Sequence, residues 1–246
     1  MSLRKYLKNF ICRLRMFLPR QKGAAILMYH SVGDNDVFFT VALETFSRQL
    51  DYLKKNNYQV VSLSDLVERL EKGRKIPLQT VVLRFDDGYR DNYDNVFPIL
   101  KKYNFPATIF LTVGRVGQKL NNSQNLPLEI LDWLEIREME QSGLVDFQPH
   151  GLTHQKLDKI SPIEAAKEIG EAKNLMEKEL NKKREFFSYP FGRYNQSIIR
   201  LLKKYGFRAG LSLRDGRVKK GDNLFTLKRK SVNSETSWVE FKSMVR

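Results

Sequence analysis

The sequence is short of the residues that most often mark a functional site. Its 246 positions hold one cysteine, three histidines and two tryptophans. A lone cysteine, Cys12, excludes an internal disulfide framework, and with no histidine or acid beside it in the chain it is a poor candidate nucleophile. No stretch approaches the roughly 20 continuous apolar residues of a membrane-spanning helix. Internal repeats and low-complexity segments are also missing, so solenoids and disordered tails are not indicated. Acidic residues are scarce against basic ones, 28 to 43, which gives a formal net charge of +15. The rest of the composition, 41% hydrophobic and 29% charged, is that of an ordinary globular chain long enough to bury a substantial core.

The positive charge is unevenly placed. Arg4, Lys5, Lys8, Arg13, Arg15, Arg20 and Lys22 lie in the first 22 positions, with no acidic residue among them. Between them Leu3, Tyr6, Leu7, Phe10, Ile11, Leu14, Phe17 and Leu18 recur at spacings of three and four, which predicts an amphipathic helix. Arg13 and Arg15 interrupt the apolar run of about 7–15 residues that a signal peptide needs. Two readings of this tail stand side by side. It lies in the plane of an anionic membrane surface, or it packs on the following domain with its charges in water. A nucleic-acid partner is not indicated, because no basic residues interleave with stacking aromatics and no recognition motif is present.

After Gly23, apolar runs alternate with amphipathic stretches. Strands are predicted at Ala24–Tyr29, Thr80–Phe85, Ala107–Val113, Leu144–Phe147, Phe186–Tyr189 and Arg208–Leu211. Helices are predicted at Leu43–Asn56, Asn92–Tyr103, Leu128–Gln141, Gln196–Tyr205 and from Ser161-Pro162 to Leu180, where a capping serine precedes a proline at the first helical position. A polar, Asn-rich loop runs through Asn125. This alternation predicts an α/β fold, a parallel sheet covered by helices, without a second globular domain. Function in such folds gathers at the C-terminal ends of strands. There His30 follows the first strand, Asp86 and Asp87 the second, His150 and His154 the fourth, and Phe191 and Gly192 the fifth.

Two of the three histidines form the pair His150-Gly-Leu-Thr-His154. A spacing of four is about one helical turn, so both imidazoles can face one point. Asp86-Asp87-Gly88 ends a buried run, where two adjacent carboxylates repel and desolvate each other unless a cation compensates. Asp91 and Asp94, by contrast, read as solvated acids near the start of a helix. Two histidines and one carboxylate leave coordination open for water, which is the pattern of a catalytic metal site, and the second carboxylate is then free to accept a proton. Tyr29, Tyr194 and Trp133 lie near these segments as candidate platforms for a sugar ring, although Trp133 sits among apolar neighbours and reads better as core.

Arg84-Phe-Asp-Asp-Gly88, His150-Gly-Leu-Thr-His154 and Ser188-Tyr-Pro-Phe-Gly192, in this order, resemble the first three motifs of polysaccharide deacetylases (carbohydrate esterase family 4). Ile26-Leu-Met-Tyr-His-Ser31 is similar to the opening strand of the subgroup acting on poly-N-acetylglucosamine. The resemblance spans about Ala24 to Val232 and implies a single distorted (β/α) barrel with fewer than eight repeats. It divides the chain into a basic amphipathic tail, 1–22, and a catalytic domain, 23–246. It implies a divalent metal, usually zinc, on Asp87, His150 and His154. Asp86 would be the general base, and the backbone N–H of Phe191 would help to hold the oxyanion. Two departures stand out. The arginine that tethers the base in the family's third motif is replaced by Ser188, and Leu227-Lys-Arg-Lys-Ser-Val232 lacks the histidine of the fifth. By the same resemblance His30 takes the part of general acid, although a purely structural hydrogen-bonded histidine is the alternative. Arg229 is a candidate for the missing tether.

The expected activity is metal-dependent removal of N-acetyl groups from acetamido sugars of a polysaccharide or a glycan precursor, whether polymeric, lipid-linked or nucleotide-linked. The tail places such an enzyme in the cytoplasm, peripheral on the inner membrane face. The departures leave open a degenerate domain of the same fold that binds carbohydrate, or serves as a membrane-associated partner, without turnover.

Overall fold

The computed structural model describes residues 3–15, 17–121 and 126–246. Helix α1 (Leu3–Arg15) leads to strand β1 (Ala25–Tyr29), helix α2 (Leu43–Lys55), the short β2 (Gln59–Val60), α3 (Leu63–Glu71) and β3 (Thr80–Asp87). Next come α4 (Phe97–Tyr103), β4 (Ala107–Leu111), the hairpin strands β5 (Lys119–Asn121) and β6 (Pro127–Glu129), α5 (Trp133–Gln141) and β7 (Val145–Pro149). The chain finishes with α6 (Pro162–Leu180), β8 (Phe186–Ser188), α7 (Gln196–Lys204), β9 (Ala209–Asp215), β10 (Leu227–Ser231) and α8 (Trp238–Val245).

Seven strands in the order β7-β4-β3-β1-β10-β9-β8 form a parallel sheet curled into a nearly closed barrel, with β2 paired to the start of β3. Strand alternation sorts the side chains. Leu27, Tyr29, Leu83, Phe85 and Ile109 face the helices, with Phe46 and Leu50 of α2 and Phe97 and Leu100 of α4. Ile26, Val82, Phe110, Phe186 and Leu211 face inward, where α3 packs Leu63, Leu66, Val67 and Leu70 against them.

No ladder of backbone hydrogen bonds joins β7 to β8 at the seam; side chains do so instead. The Gln148 carboxamide oxygen accepts from the N–H groups of Glu185 and Phe186, both at 2.9 Å. Fully buried Arg184 donates to the Phe147 carbonyl at 2.6 Å. His150 Nδ1 lies 2.8 Å from the Ser188 carbonyl oxygen.

The predicted order of strands and helices holds, with local differences. Leu128 belongs to β6, and α5 begins at Trp133 because Asp132 caps it in a capping box with Glu135. The loop predicted after β4 contains β5, and its residues 122–125 lie outside those described. Helices α3 and α8 and strand β10 come in addition to the predicted elements. Helix α1 forms as predicted and packs on α8, where Lys8 meets Glu240 at 2.6 Å, Ser237 Oγ donates to Asn9 Oδ1 at 2.6 Å, and Cys12 is buried. Tyr6, Leu7, Phe10 and Leu14 of this helix stay exposed. Among the described residues no helix is long and apolar enough to cross a membrane.

Candidate metal and catalytic site

A cavity of about 340 Å³ opens at the C-terminal end of the barrel, and His30, Asp86, Asp87, His150, His154, Phe191 and Arg229 all line it. The six residues expected to act are therefore brought together. The backbone that achieves this is unusual. Asp87, His154 and Phe191 all have φ in the left-handed region, at 73°, 66° and 56°, a conformation that costs a non-glycine residue energy and tends to occur where function requires it. A carboxylate next to Asp86 would face the opposite side of an ideal strand. At Asp87 the strand ends in a turn, and the side chain reaches the histidines.

Asp87 Oδ1 lies 3.6 Å from His150 Nε2 and 3.3 Å from His154 Nε2. Four ligands at about 2.0–2.1 Å around zinc stand roughly 3.4 Å apart along a tetrahedron's edges, so these three donors fit one divalent ion. Two further observations agree. Asp87 Oδ1 is buried without a hydrogen-bond partner. The contact of His150 Nδ1 with the Ser188 carbonyl makes that nitrogen the N–H and leaves Nε2 its lone pair, the usual way in which an outer partner prepares a ligating imidazole. Burial pushes His150 down to about 4, so it is neutral at physiological pH. Burial on its own would raise Asp87, but the surrounding histidines and the Tyr89 hydroxyl outweigh it and hold the carboxyl below its ordinary range. The histidine pair is not presented by a helical turn as its spacing suggested. It lies in an irregular loop, where Gly151 has φ +82° and buried Glu168 of α6 accepts from the N–H groups of Leu152 and Thr153 at 2.9 Å and from the Thr153 hydroxyl.

Asp86 is the last inward-facing residue of β3. Its charge is met by Arg84, two residues earlier on the same face, with no exposed surface, whose Nη2 donates to Asp86 Oδ2. Ser188 Oγ accepts from the same guanidinium at 3.2 Å and lies 3.4 Å from Asp86 Oδ2. The arginine partner of Asp86 is thus supplied by β3. Arg229, the expected candidate, makes no hydrogen bond to Asp86 and acts on it only through its charge.

His30 stacks on Phe39, with ring centroids 4.9 Å apart, and Phe39 stacks in turn on Tyr89 at 5.5 Å. Its Nδ1 is buried without a partner among the described residues. Burial lowers its pKa, and Asp87 and Asp86 only partly offset this. The candidate sugar platforms are displaced. Tyr29 is fully buried toward α2, donating to Gln49 at 2.8 Å, Tyr194 stacks on Tyr189, and Trp133 packs on the core. The aromatic rings lining the cavity are those of Phe38, Phe39, Tyr89, Tyr189 and Phe191. Asp91, read as solvated, is largely enclosed and accepts from Ser31 Oγ at 2.5 Å and Asn92 Nδ2 at 2.8 Å, because the turn after β3 folds under the loop carrying His30.

Sequence reasoning passed over Arg84, Tyr89 and Glu168. Glu168 had a legible signal, since it shares the apolar face of α6 with Ala165, Ile169, Ala172 and Met176, where an acid has no reason to be unless it has partners.

The sequence profile described as "Polysaccharide deacetylase" matches residues 73–210. The chain is 28% identical over 241 aligned positions to the poly-β-1,6-N-acetyl-D-glucosamine N-deacetylase of Staphylococcus aureus, covering 88% of this chain and 81% of the relative. Among solved structures, the Streptococcus pyogenes deacetylase PplD, determined in complex with acetate, superposes with a TM-score of 0.79 at 26% identity, covering 93% of this chain and all of that one. IcaB from Ammonifex degensii shares the fold at a TM-score of 0.81 and 24% identity, covering 92% and 97% of the two chains.

Proposed function

The chain belongs to the polysaccharide deacetylase family, and we propose that it hydrolyses the N-acetyl groups of acetamido sugars in a glycan or glycan precursor with the help of a divalent metal, most readily zinc. The observation that carries this reading is the convergence of Asp87 Oδ1 with the Nε2 atoms of His150 and His154 beside a carboxylate that is not one of the three. When bound there, a divalent ion supplies Lewis-acid polarisation of the acyl oxygen and acidifies a water molecule.

Asp86 accepts the proton of the attacking water, its carboxylate oriented by Arg84 and Ser188. In the turn Pro190–Gly192 the proline nitrogen carries no hydrogen. The N–H groups of Gly192 and Arg193 are engaged by the carbonyls of Tyr189 and Pro190, and this leaves the N–H of Phe191 to stabilise the developing oxyanion. His30 gives a proton to the amine nitrogen as the carbon–nitrogen bond breaks. Because burial keeps its imidazole neutral near pH 7, it must take up that proton within the catalytic cycle, after water has been deprotonated, and its unpartnered Nδ1 has room for it.

The test joins metal content to turnover. Full-length protein should carry about one equivalent of a divalent metal, lost in His150→Ala and His154→Ala, and should release acetate from poly- or oligo-N-acetylglucosamine. Metal retained by both variants, or absence of acetate release from polymeric, lipid-linked and nucleotide-linked substrates alike, overturns the reading.

We infer in addition that α1 lies on an anionic membrane surface. Its contacts with α8 use Lys8 and Asn9, and Cys12 is buried, whereas Tyr6, Leu7, Phe10 and Leu14 remain 64%, 57%, 51% and 52% exposed, followed by exposed Phe17 and Leu18. A contiguous apolar surface flanked by cations suits the anionic cytoplasmic leaflet.

A further inference from the structure

Arg229 is a cation without a counter-ion. It lines the catalytic cavity, but its guanidinium forms no hydrogen bond or ion pair among the described residues, and its Nε is buried. The acids that feel its charge are taken, Asp86 by Arg84 and Asp215 by Lys230 at 2.8 Å. Burial and the charge of Arg84 disfavour its protonated form, and Asp86 and Asp215 offset this only in part. A guanidinium nevertheless stays protonated in proteins. A charge withdrawn from water without a partner is costly, and an anion brought to it recovers that cost.

Its place in the fold narrows the anion. A second cavity, of about 480 Å³, lies between α1, α8 and the end of β10. Arg229, Ser231 and Asn233 line both spaces, so the guanidinium stands where the two meet. Of the charged groups on the far side, Lys8 pairs with Glu240 at 2.6 Å, and Glu235 is exposed to water. Asn233 uses its Oδ1 to accept from the Glu235 N–H at 3.1 Å and the Thr236 hydroxyl at 3.2 Å, which leaves its amide hydrogens beside Arg229 for another acceptor. A carboxylate ends a molecule, whereas an esterified phosphate joins two parts and keeps its charge between them. A cation at the junction of two cavities fits the joining kind, and arginine matches phosphate oxygens in a two-pronged contact. In a 2-acetamido sugar the anomeric carbon is next to the carbon that bears the acetamido group. With that group in the catalytic cavity, an anomeric phosphate is close at hand.

We propose that Arg229 binds the anomeric phosphate of a phosphate-linked acetamido sugar, with the sugar in the catalytic cavity and the carrier extending into the second. The proposal rests on the deacetylase reading and names its substrate class, a glycosyl phosphate ester rather than a neutral glycan. The ester is the shared chemistry, whether its carrier is a nucleoside or a prenyl lipid.

Acetate release by the full-length protein tests it, with N-acetylglucosamine offered as its methyl glycoside, its nucleoside diphosphate ester, its prenyl diphosphate ester and a neutral oligomer. At least one ester should have a kcat/KM about 10–100-fold above that of the methyl glycoside, the worth of a charge-assisted hydrogen bond. The better ester identifies the carrier. Arg229→Gln should bring the ratio of ester to methyl glycoside close to one, and Arg229→Lys should keep part of it. This ratio does not depend on how much of a variant folds. A wild-type ratio near or below one, or a preference for the neutral oligomer over both esters, overturns the proposal. So does a ratio unchanged in Arg229→Gln, since the guanidinium then serves only Asp86. If no substrate loses acetate, the deacetylase reading fails, and calorimetry with N-acetylglucosamine 1-phosphate and the methyl glycoside still decides Arg229. Tighter binding of the phosphate, lost in Arg229→Gln, supports the proposal. Equal affinities, or a preference that survives in the variant, refute it.

Discussion

Asp86 sits beside a guanidinium that comes from its own strand. Arg84 and Asp86 share the inward face of β3, and Ser188 completes the contact from β8 across the barrel interior. A smaller side chain at 84 with an arginine at 188 would place the same charge at the carboxylate from the opposite wall. Removing one member of a buried ion pair costs about 3–5 kcal/mol, so Arg84→Thr should lower both stability and kcat. The double variant Arg84→Thr/Ser188→Arg should recover much of kcat if the role is to position the base. Recovery of stability without recovery of kcat would make Arg84 purely structural. Asp86→Asn should reduce kcat by about 10²–10⁴-fold while the metal content stays unchanged. Wild-type turnover in that variant would remove Asp86 from the mechanism.

The position of the proposed metal ligands depends on how neighbouring elements are tied. The seam between β7 and β8 is closed by Gln148, Arg184 and His150, so the contact that closes the barrel also sets the tautomer of the His150 imidazole. The loop carrying His154 is held from α6 by Glu168. Glu168→Ala should leave the N–H groups of Leu152 and Thr153 without their acceptor. The expected result is metal affinity about 10–100-fold weaker, the usual cost of losing an outer partner, read by chelator competition. The turn after β3 offers a pH test. Burial raises Asp91 from 3.8 to about 6, and the hydrogen bonds from Ser31, Val32 and Asn92 oppose this only in part. An acid whose folded pKa is raised binds its proton more tightly in the native state. The contribution of Asp91 to stability is therefore greatest below about pH 4, falls by about 1–3 kcal/mol toward pH 6, and levels off above. Urea unfolding of Asp91→Asn should show a flatter profile across that window and higher stability at pH 7. An unchanged slope would assign the pH dependence elsewhere.

As a whole, the molecule puts a barrel with an enclosed site next to a helix whose apolar face is open to solvent. Binding to vesicles should follow from both the apolar area and the charge. Each basic residue near an anionic surface contributes about 1 kcal/mol, screened over about 10 Å at 0.1 M salt. Co-sedimentation with phosphatidylserine-containing vesicles should weaken with salt and with neutral lipid, and substitution of Phe10 and Leu14 by Ser should abolish it. Full-length protein that ignores such vesicles at low salt would assign the exposed face of α1 to something other than a lipid surface.

What the sequence determined by itself is the succession of elements and the set of candidate site residues, because both are local. Strand alternation, helix caps such as Ser161 and the strand-end positions of His30, Asp86 and His150 are properties of a few consecutive residues. The tertiary structure alone decided how those residues are held. The seam contacts of Gln148 and His150, the anchoring of the histidine loop by Glu168, and the meeting of two cavities at Arg229 join positions far apart in the chain. The left-handed backbone at Asp87, His154 and Phe191 is a strain that no local preference asks for and that only surrounding packing sustains. The same holds for Tyr29 and Asp91. One points to the helices rather than to a sugar, and the other lies under a loop rather than in water, because burial depends on what folds over a residue and not on the residue itself.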